Sequence, residues 1–236
     1  MSRNGNSAPR LCFIYILHFP VLFSLSRFSY AQNHLQYVEQ IQLLSINMKK
    51  NFYLMRHGQT LFNVRRKIQG WCDSPLTEKG IQQAEQVAEF FDNIELTHLY
   101  CSTAERCCDT AEIVTRNRMP YTRLKGLKEM NFGIYEGESE DLHPDAEARE
   151  THYLQFGGES RPQVRERVVN TCIDIMEQKD HHTVLAVSHS GACKQFLTHW
   201  HDPTEQTELG FPNCCIFHYE YENKTFNLLN VYRLTE

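Results

Sequence analysis

The chain has 236 residues, 41% of them apolar and 22% charged, and a net charge of −5. This is the composition of a soluble globular protein long enough for one α/β domain or two small ones. It excludes a general basic surface for nucleic acid or acidic membranes, so any anionic ligand must be drawn by a local cluster of positive groups. The nine cysteines do not form a disulfide pattern: Cys107-Cys108 and Cys214-Cys215 are adjacent pairs, and a chain of this length needs no staples. No C-x-x-C pair occurs, which argues against zinc. The expectation is reduced, mostly buried thiols in a cytoplasmic protein.

Residues 1–47 differ from the rest. They hold Arg3, Arg10 and Arg27 but only one acid, Glu39, and Leu11–Leu25 is mostly apolar, broken by His18 and Pro20. One reading is a secretory signal, with Arg10 before the apolar stretch and Ser29-Tyr30-Ala31 before a cleavage point. The other takes Met48-Lys49-Lys50 as the start and the first 47 residues as a read-through or disordered extension. The second is preferred, because a thiol-rich core suits a reducing compartment. The apolar stretch is also too short and too interrupted to span a membrane. Residues 48–236 are then one domain.

Within that domain the first element predicted is a strand at about 51–56, ending in Arg56-His57-Gly58. Such a strand end is where open α/β sheets bind ligands. Gly58 would let the backbone turn beside one. A loop over 57–76 leads to Thr77, an N-cap opening a helix to about Phe91 with Ile81, Ala84, Val87, Ala88 and Phe91 at helical spacing. A short strand, His98–Cys101, precedes Ser102, read as the N-cap of a helix over about 103–117 with Arg106 in its first turn. Tyr121–Leu124 is a candidate strand, and 125–137 is a loop holding Glu129. The acidic stretch 138–150 reads as helical or mobile. A helix at about 160–178, a strand at 183–187 ending in Ser188-His189, and a helix from about Gly191 to Trp200 follow. Two final strands, about 214–221 and 225–233, flank the turn Glu222-Asn223-Lys224. Alternating strands and helices predict a three-layer α/β sandwich, a mainly parallel central sheet with helices on both faces.

The polar residues at these element ends suit phosphoryl chemistry. Cleaving a phosphomonoester needs a nucleophile, positive groups on the non-bridging oxygens, and an acid for the leaving oxygen. Arg56 offers a guanidinium fork. Arg106 sits at a helix N-terminus, where the dipole also favours an anion. His57 and His189 follow strand C-termini, so adjacent parallel strands would bring them together. One of them must attack as a neutral ring whose other nitrogen donates to a carbonyl. The second is more useful protonated. The residues alone do not rank the two.

The stretch FYLMRHGQT (52–60) resembles the signature of the histidine phosphatase superfamily, the phosphoglycerate-mutase-like phosphotransferases, in its small bacterial-type phosphatase branch. IQGWCDSPLTEKGIQQA (68–84), STAERCCDTA (102–111), LKEMNFGIYEG (127–137) and VLAVSHSG (184–191) resemble the segments that follow, in the family's order. The resemblance implies attack by His57, phosphate binding by Arg56, Arg106 and His189, and acid–base work by Glu129, with Glu136 and Glu138 as rivals. It also implies contacts to substrate from Thr60, Asn63, Gln69 and Gly70. Ser190 departs from the glycine the family commonly has, and could narrow the pocket or add a hydroxyl contact. No cofactor and no metal are implied. His199-Trp200-His201 lacks a carboxylate at ligand spacing and reads as a helix end.

The expected activity is hydrolysis of a small phosphorylated metabolite through a phosphohistidine, with no nucleic-acid or membrane partner; oligomeric state stays open. The alternatives are a phosphoglycerate mutase using the same intermediate, and a non-catalytic phospho-ligand binder. The mutase is disfavoured on length, His57 and His189 being 132 residues apart (189 − 57). It is disfavoured also on charge. Between Glu129 and Gly157 only Arg149 is basic, and Glu136, Glu138, Glu140, Asp141, Asp145, Glu147 and Glu150 would repel a bisphosphorylated acid. Phe62, Trp71, Phe132 and Tyr135 are candidate pocket walls.

Overall fold

The computed structural model describes residues 49–234; the segment 1–47 set apart above lies outside the described residues. Six strands form one sheet: β1 (Lys50–Arg56), β2 (His98–Ser102), β3 (Thr122–Leu124), β4 (Thr183–Ser188), β5 (Ile216–Glu222) and β6 (Thr225–Tyr232). Their order is β3-β2-β4-β1-β5-β6. The first four are mutually parallel, and β5 alone runs against its neighbours. The expected α/β architecture with a mainly parallel sheet is present, and the antiparallel strand makes the sheet mixed. Asn223 and Lys224, both at positive φ, turn β5 into β6. That is the two-residue turn whose twist matches a hairpin.

The helices are α1 (Leu61–Val64), α2 (Glu78–Phe91), α3 (Glu105–Val114), α4 (Arg161–Met176), α5 (Ser190–Trp200) and α6 (Thr204–Leu209). Unbroken apolar runs in β1 and β4 follow from burial on both sheet faces. Phe52, Leu54, Val184 and Ala186 face α4 and α5. Tyr53, Met55, Leu185 and Val187 face α2 and α3. Each large side chain so buried contributes about 1.5–3 kcal/mol.

Three local readings change. Ser102 is the last residue of β2 and not a helix cap; the cap position of α3 is Ala104, which offers no side-chain acceptor. Its function passes to Asp73, whose Oδ2 accepts from Glu105 N at 2.5 Å. Gly58 is not at positive φ. Its missing Cβ instead lets α2 approach, since a methyl there would lie 2.6 Å from Gly80 O. The stretch 138–150 is neither a helix nor a plain loop: it holds two single 3₁₀ turns, Glu140–Leu142 and Ala148–Glu150.

Parallel pairing places the site. β1 lies directly beside β4, with Arg56 level with Ser188, and His57 N donates to Ser188 O at 3.0 Å. His57 and His189 therefore leave neighbouring strands side by side. β2 delivers Ser102 to the same edge.

Candidate active site

The two imidazoles stand 5.3 Å apart between ring centroids, tilted by 68°. His57 is 5% exposed, and its Nδ1 is 2.8 Å from Gly58 O. A carbonyl can only accept, so Nδ1 carries the proton and Nε2 is left with a free lone pair. Burial, then the Arg106 and Arg56 charges, hold its pKa well below the ordinary histidine range. His57 is a neutral ring with a bare nitrogen.

His189 is fully buried, with Nδ1 2.9 Å from Arg106 Nη2 and Nε2 2.8 Å from Ser102 Oγ. Arginine only donates, so Nδ1 accepts and Nε2–H donates to the serine. Burial and the Arg106 charge push its pKa well down. The protonated ring expected from the sequence is thus a neutral one here, because it lies against a guanidinium in a dry interior.

Arg106 is also fully buried. Its Nη1 donates to Cys72 O (2.9 Å) and Asp73 Oδ1 (2.8 Å), and its Nη2 donates to Gly70 O (2.8 Å) as well as His189. Arg56 Nη1 donates to Phe211 O at 2.5 Å. The Nε of each arginine is buried with no protein acceptor.

Glu129 accepts from Met130 N on Oε1 and from Gly191 N on Oε2, both at 2.8 Å, so it sits at the N-terminus of α5. A Cβ at Gly191 would lie 2.5 Å from Oε1, which is why that turn has no side chain. The rival Glu136 is spent elsewhere. It accepts from the backbone N–H of Gly70, Trp71, Cys72 and Phe132 at 2.7–3.1 Å, pinning the loop after β1 to the loop of Glu129. Burial would raise its pKa, but the Cys72 thiol and these backbone donors outweigh it and lower the value. Trp71 donates from Nε1 to Glu129 O, so it braces that loop; of the four proposed aromatic walls, Phe132 lines the cavity.

A cavity of about 320 Å³ opens above His57. Arg56, Asn63, Gln69, Glu129 and Ser190 also line it. Arg106 and His189 are fully buried beside His57. Thr60 and Gly70 have structural duties: Thr60 caps α1 and donates from its hydroxyl to Gln69 Oε1, and a Cβ on Gly70 would meet Met130 O at 2.1 Å. Asn63 Oδ1 already accepts from Thr60 N and Asn213 Nδ2, which leaves its amide nitrogen as the donor to offer.

The remaining lining departs from the sequence reading. Lys67, Arg149, Arg161 and Lys194 are on the wall. Of the acids in 136–150, Glu140 is the one among its lining residues. Asp141 pairs with Arg66, Glu150 with Arg161, and Asp145 caps Ala148. The expected repulsion of a second anionic group therefore falls, since sequence charge does not say which side chains face inward. His143 lines the cavity against Tyr153. Asp73 and Ser102, which hold Arg106 and His189, were missed in these roles; no local pattern marks a residue that acts across 33 or 87 positions.

Among the described residues, one group of potential metal ligands lies together: His98, Asp180 and His181. Its two rings stack with centroids 3.5 Å apart and planes 11° from parallel. Their in-plane lone pairs run side by side and do not converge on one ion.

The model of the histidine phosphatase superfamily, branch 1, matches residues 52–233. The chain belongs to that superfamily. It is an enzyme of the phosphoglycerate-mutase-like type. A relative from Proteus mirabilis (strain HI4320), named probable phosphoglycerate mutase GpmB, is 34% identical over 193 residues, 72% of this chain and 85% of that one. Among solved structures, Bacillus stearothermophilus YhfR superposes with a TM-score of 0.68 at 31% identity, covering 75% of this chain and 94% of that one. Phosphoserine phosphatase from Entamoeba histolytica, in complex with 3-phosphoglyceric acid, gives 0.66 at 25% identity, covering 78% and 96%.

Two buried neutral imidazoles in this superfamily member make its stability depend on pH. In the unfolded chain each titrates near 6.5, and in the fold both stay neutral to well below that. Between those values the unfolded chain binds more protons, so stability rises with pH. The contribution is complete above 6.5 and is lost as pH falls below it, at about 1.4 kcal/mol per pH unit for each ring. Urea unfolding at about pH 7 and about pH 5 should show the drop. His57→Ala should show a smaller one; an equal drop in the variant would contradict a buried neutral His57.

Proposed function

We propose that residues 48–236 form a cytoplasmic, metal-independent phosphomonoesterase for small phosphorylated metabolites, working through a phosphohistidine on His57. The tautomer of His57 carries this reading. Nδ1–H is tied to Gly58 O, and Nε2 is free to attack beside Arg56 and Glu129.

In the first step Nε2 forms a bond to phosphorus and the P–O bond to the leaving group breaks. Glu129, protonated for this step, gives its proton to the departing oxygen. In the second, the Glu129 carboxylate takes a proton from water, whose oxygen attacks phosphorus as the P–N bond breaks. The pair returns to Nε2. Non-bridging oxygens would give the Nε of Arg56 and Arg106 the acceptors the protein does not supply. Asn63 and Ser190 offer further donors. Arg106 and Ser102 hold His189, and a phosphoryl dianion nearby would raise its proton affinity. Two guanidinium groups supply the positive charge that a metal would otherwise bring.

Among the described residues no helix is long and apolar enough to cross a membrane. Burial raises the thiols of Cys107, Cys172 and Cys193, which suits inert, reduced cysteines.

A second reading, a phosphoglycerate mutase, is favoured by the cationic wall and by the name of the Proteus relative. Incubation with 3-phosphoglycerate and a bisphosphoglycerate primer, with chelator present, separates the two. Release of free phosphate is the expected result. Fast formation of 2-phosphoglycerate with little free phosphate would overturn the phosphatase.

A further inference from the structure

Glu136 does not line the cavity and takes no part in the chemistry above. It is half-buried and spends both carboxylate oxygens on backbone N–H groups. Oε1 accepts from Trp71 at 2.7 Å and Phe132 at 3.0 Å, and Oε2 from Cys72 at 2.9 Å and Gly70 at 3.1 Å. The other side of the same turn meets Arg106. Nη2 donates to Gly70 O at 2.8 Å, and Nη1 to Cys72 O at 2.9 Å.

Gly70 O and Trp71 N belong to one peptide unit. That peptide stands in series between the two charges, its N–H on the carboxylate and its C=O on the guanidinium. An ionised carboxylate can only accept and a guanidinium can only donate, so the peptide has one permitted orientation. Turned over, it would set oxygen against oxygen and N–H against N–H. Bonds in such a chain also polarise one another, so the carboxylate makes Gly70 O a better acceptor for Nη2. The turn is packed hard against Glu136, since a Cβ on Gly70 would lie 2.4 Å from Oε1. Nη2 has a second acceptor, His189 Nδ1 at 2.9 Å. The set of the Arg106 fork therefore depends on where Gly70 O stands. Asp73 gives the buried guanidinium its direct counter-charge at 2.8 Å, and Glu136 adds a second one peptide away.

We infer that Glu136 is a positioning residue for Arg106: through the Gly70–Trp71 peptide it sets the guanidinium for the phosphoryl group. This rests on the phosphoryl site proposed above and adds to it a residue that does not touch substrate. A second route leads from the turn to Glu129, whose carbonyl accepts from Trp71 Nε1 at 3.1 Å. It runs through an exposed side chain with rotatable bonds, whereas the peptide route has none.

Glu136→Gln keeps the shape, removes the charge and sets an amide NH₂ against one pair of the four donors. Binding of inorganic phosphate is measured by calorimetry, and turnover on one alkyl and one aryl phosphate. Phosphate should bind the variant about tenfold more weakly, the size of one charge-assisted hydrogen bond. Turnover should fall by similar factors on both substrates, because Arg106 holds the phosphoryl group whatever leaves. In an Arg106→Lys background the same substitution should cost little more, since the group it positions has already gone. Unchanged phosphate affinity, a loss confined to the alkyl phosphate, or an undiminished loss in the Arg106→Lys background would overturn the assignment and leave the phosphoryl site standing. Failure of the unaltered protein to bind phosphate would overturn both. Should Glu136→Gln not fold, amide hydrogen exchange in the unaltered protein decides. The Trp71 N–H should be protected, and more so with phosphate bound; protection that phosphate leaves as it was would overturn the link to Arg106.

Discussion

His57→Ala is expected to lower phosphomonoester turnover by on the order of 10⁴-fold or more, because it removes the atom proposed to bond phosphorus. Enzyme mixed rapidly with labelled substrate should become phosphorylated on His57, and the label should be lost in acid and kept in alkali, as a phosphoramidate is. The geometry gives the reason: Nε2 is the one nitrogen of the two rings with neither a proton nor a protein partner. Cys107 is a neighbouring thiol, with Sγ 3.5 Å from His189 Nε2, but burial raises its pKa and keeps it protonated. A label on cysteine or serine, or undiminished turnover in His57→Ala, would end the phosphohistidine mechanism.

Glu129→Gln should slow cleavage of alkyl phosphates by about 10²–10⁴-fold and of aryl phosphates far less, since a good leaving group needs little protonation. The amide keeps the shape of the carboxyl but cannot give up a proton in this way. Gly191→Ala should act in the same direction without touching Glu129, because its methyl would sit 2.5 Å from Oε1 and push the carboxylate out of place. Equal losses on alkyl and aryl substrates would mean that Glu129 positions or charges the site and does not transfer the proton. Full activity in both variants would remove Glu129 from the mechanism and return Glu138 to consideration, Glu136 being tied by four backbone donors.

Much of this was legible in the chain itself. Apolar runs at 52–55 and 184–187, each followed by a polar pair with histidine, mark buried parallel strands with ligand-binding ends. Thr77 announces α2, and the structure has its hydroxyl accepting from Gly80 N. These are local signals: backbone conformation and burial periodicity are set by residues within one or two turns. The ordering of motifs identifies the superfamily for the same reason, since each motif is a short stretch fixed by its own strand end or loop.

Tertiary structure alone decided the rest. Whether His57 or His189 holds the bare nitrogen depends on partners far away in sequence, Arg106 and Ser102 for His189, and on burial that lowers both pKa values. As residue types Glu129 and Glu136 are equivalent, and only motif resemblance ranks them in the sequence. Their physical difference comes from the fold: one meets the N-terminus of α5 and the other meets four backbone donors. The sign of the cavity wall was misjudged from composition for the same physical reason. Counting charges along 136–150 gives an acidic segment, but the fold turns those acids toward Arg66, Arg161 and backbone donors and brings Lys67, Arg161 and Lys194 in from other elements. A sequence fixes which charges exist and which elements bear them. The field inside a cavity depends on which side chains face it, and that is settled only when the elements pack.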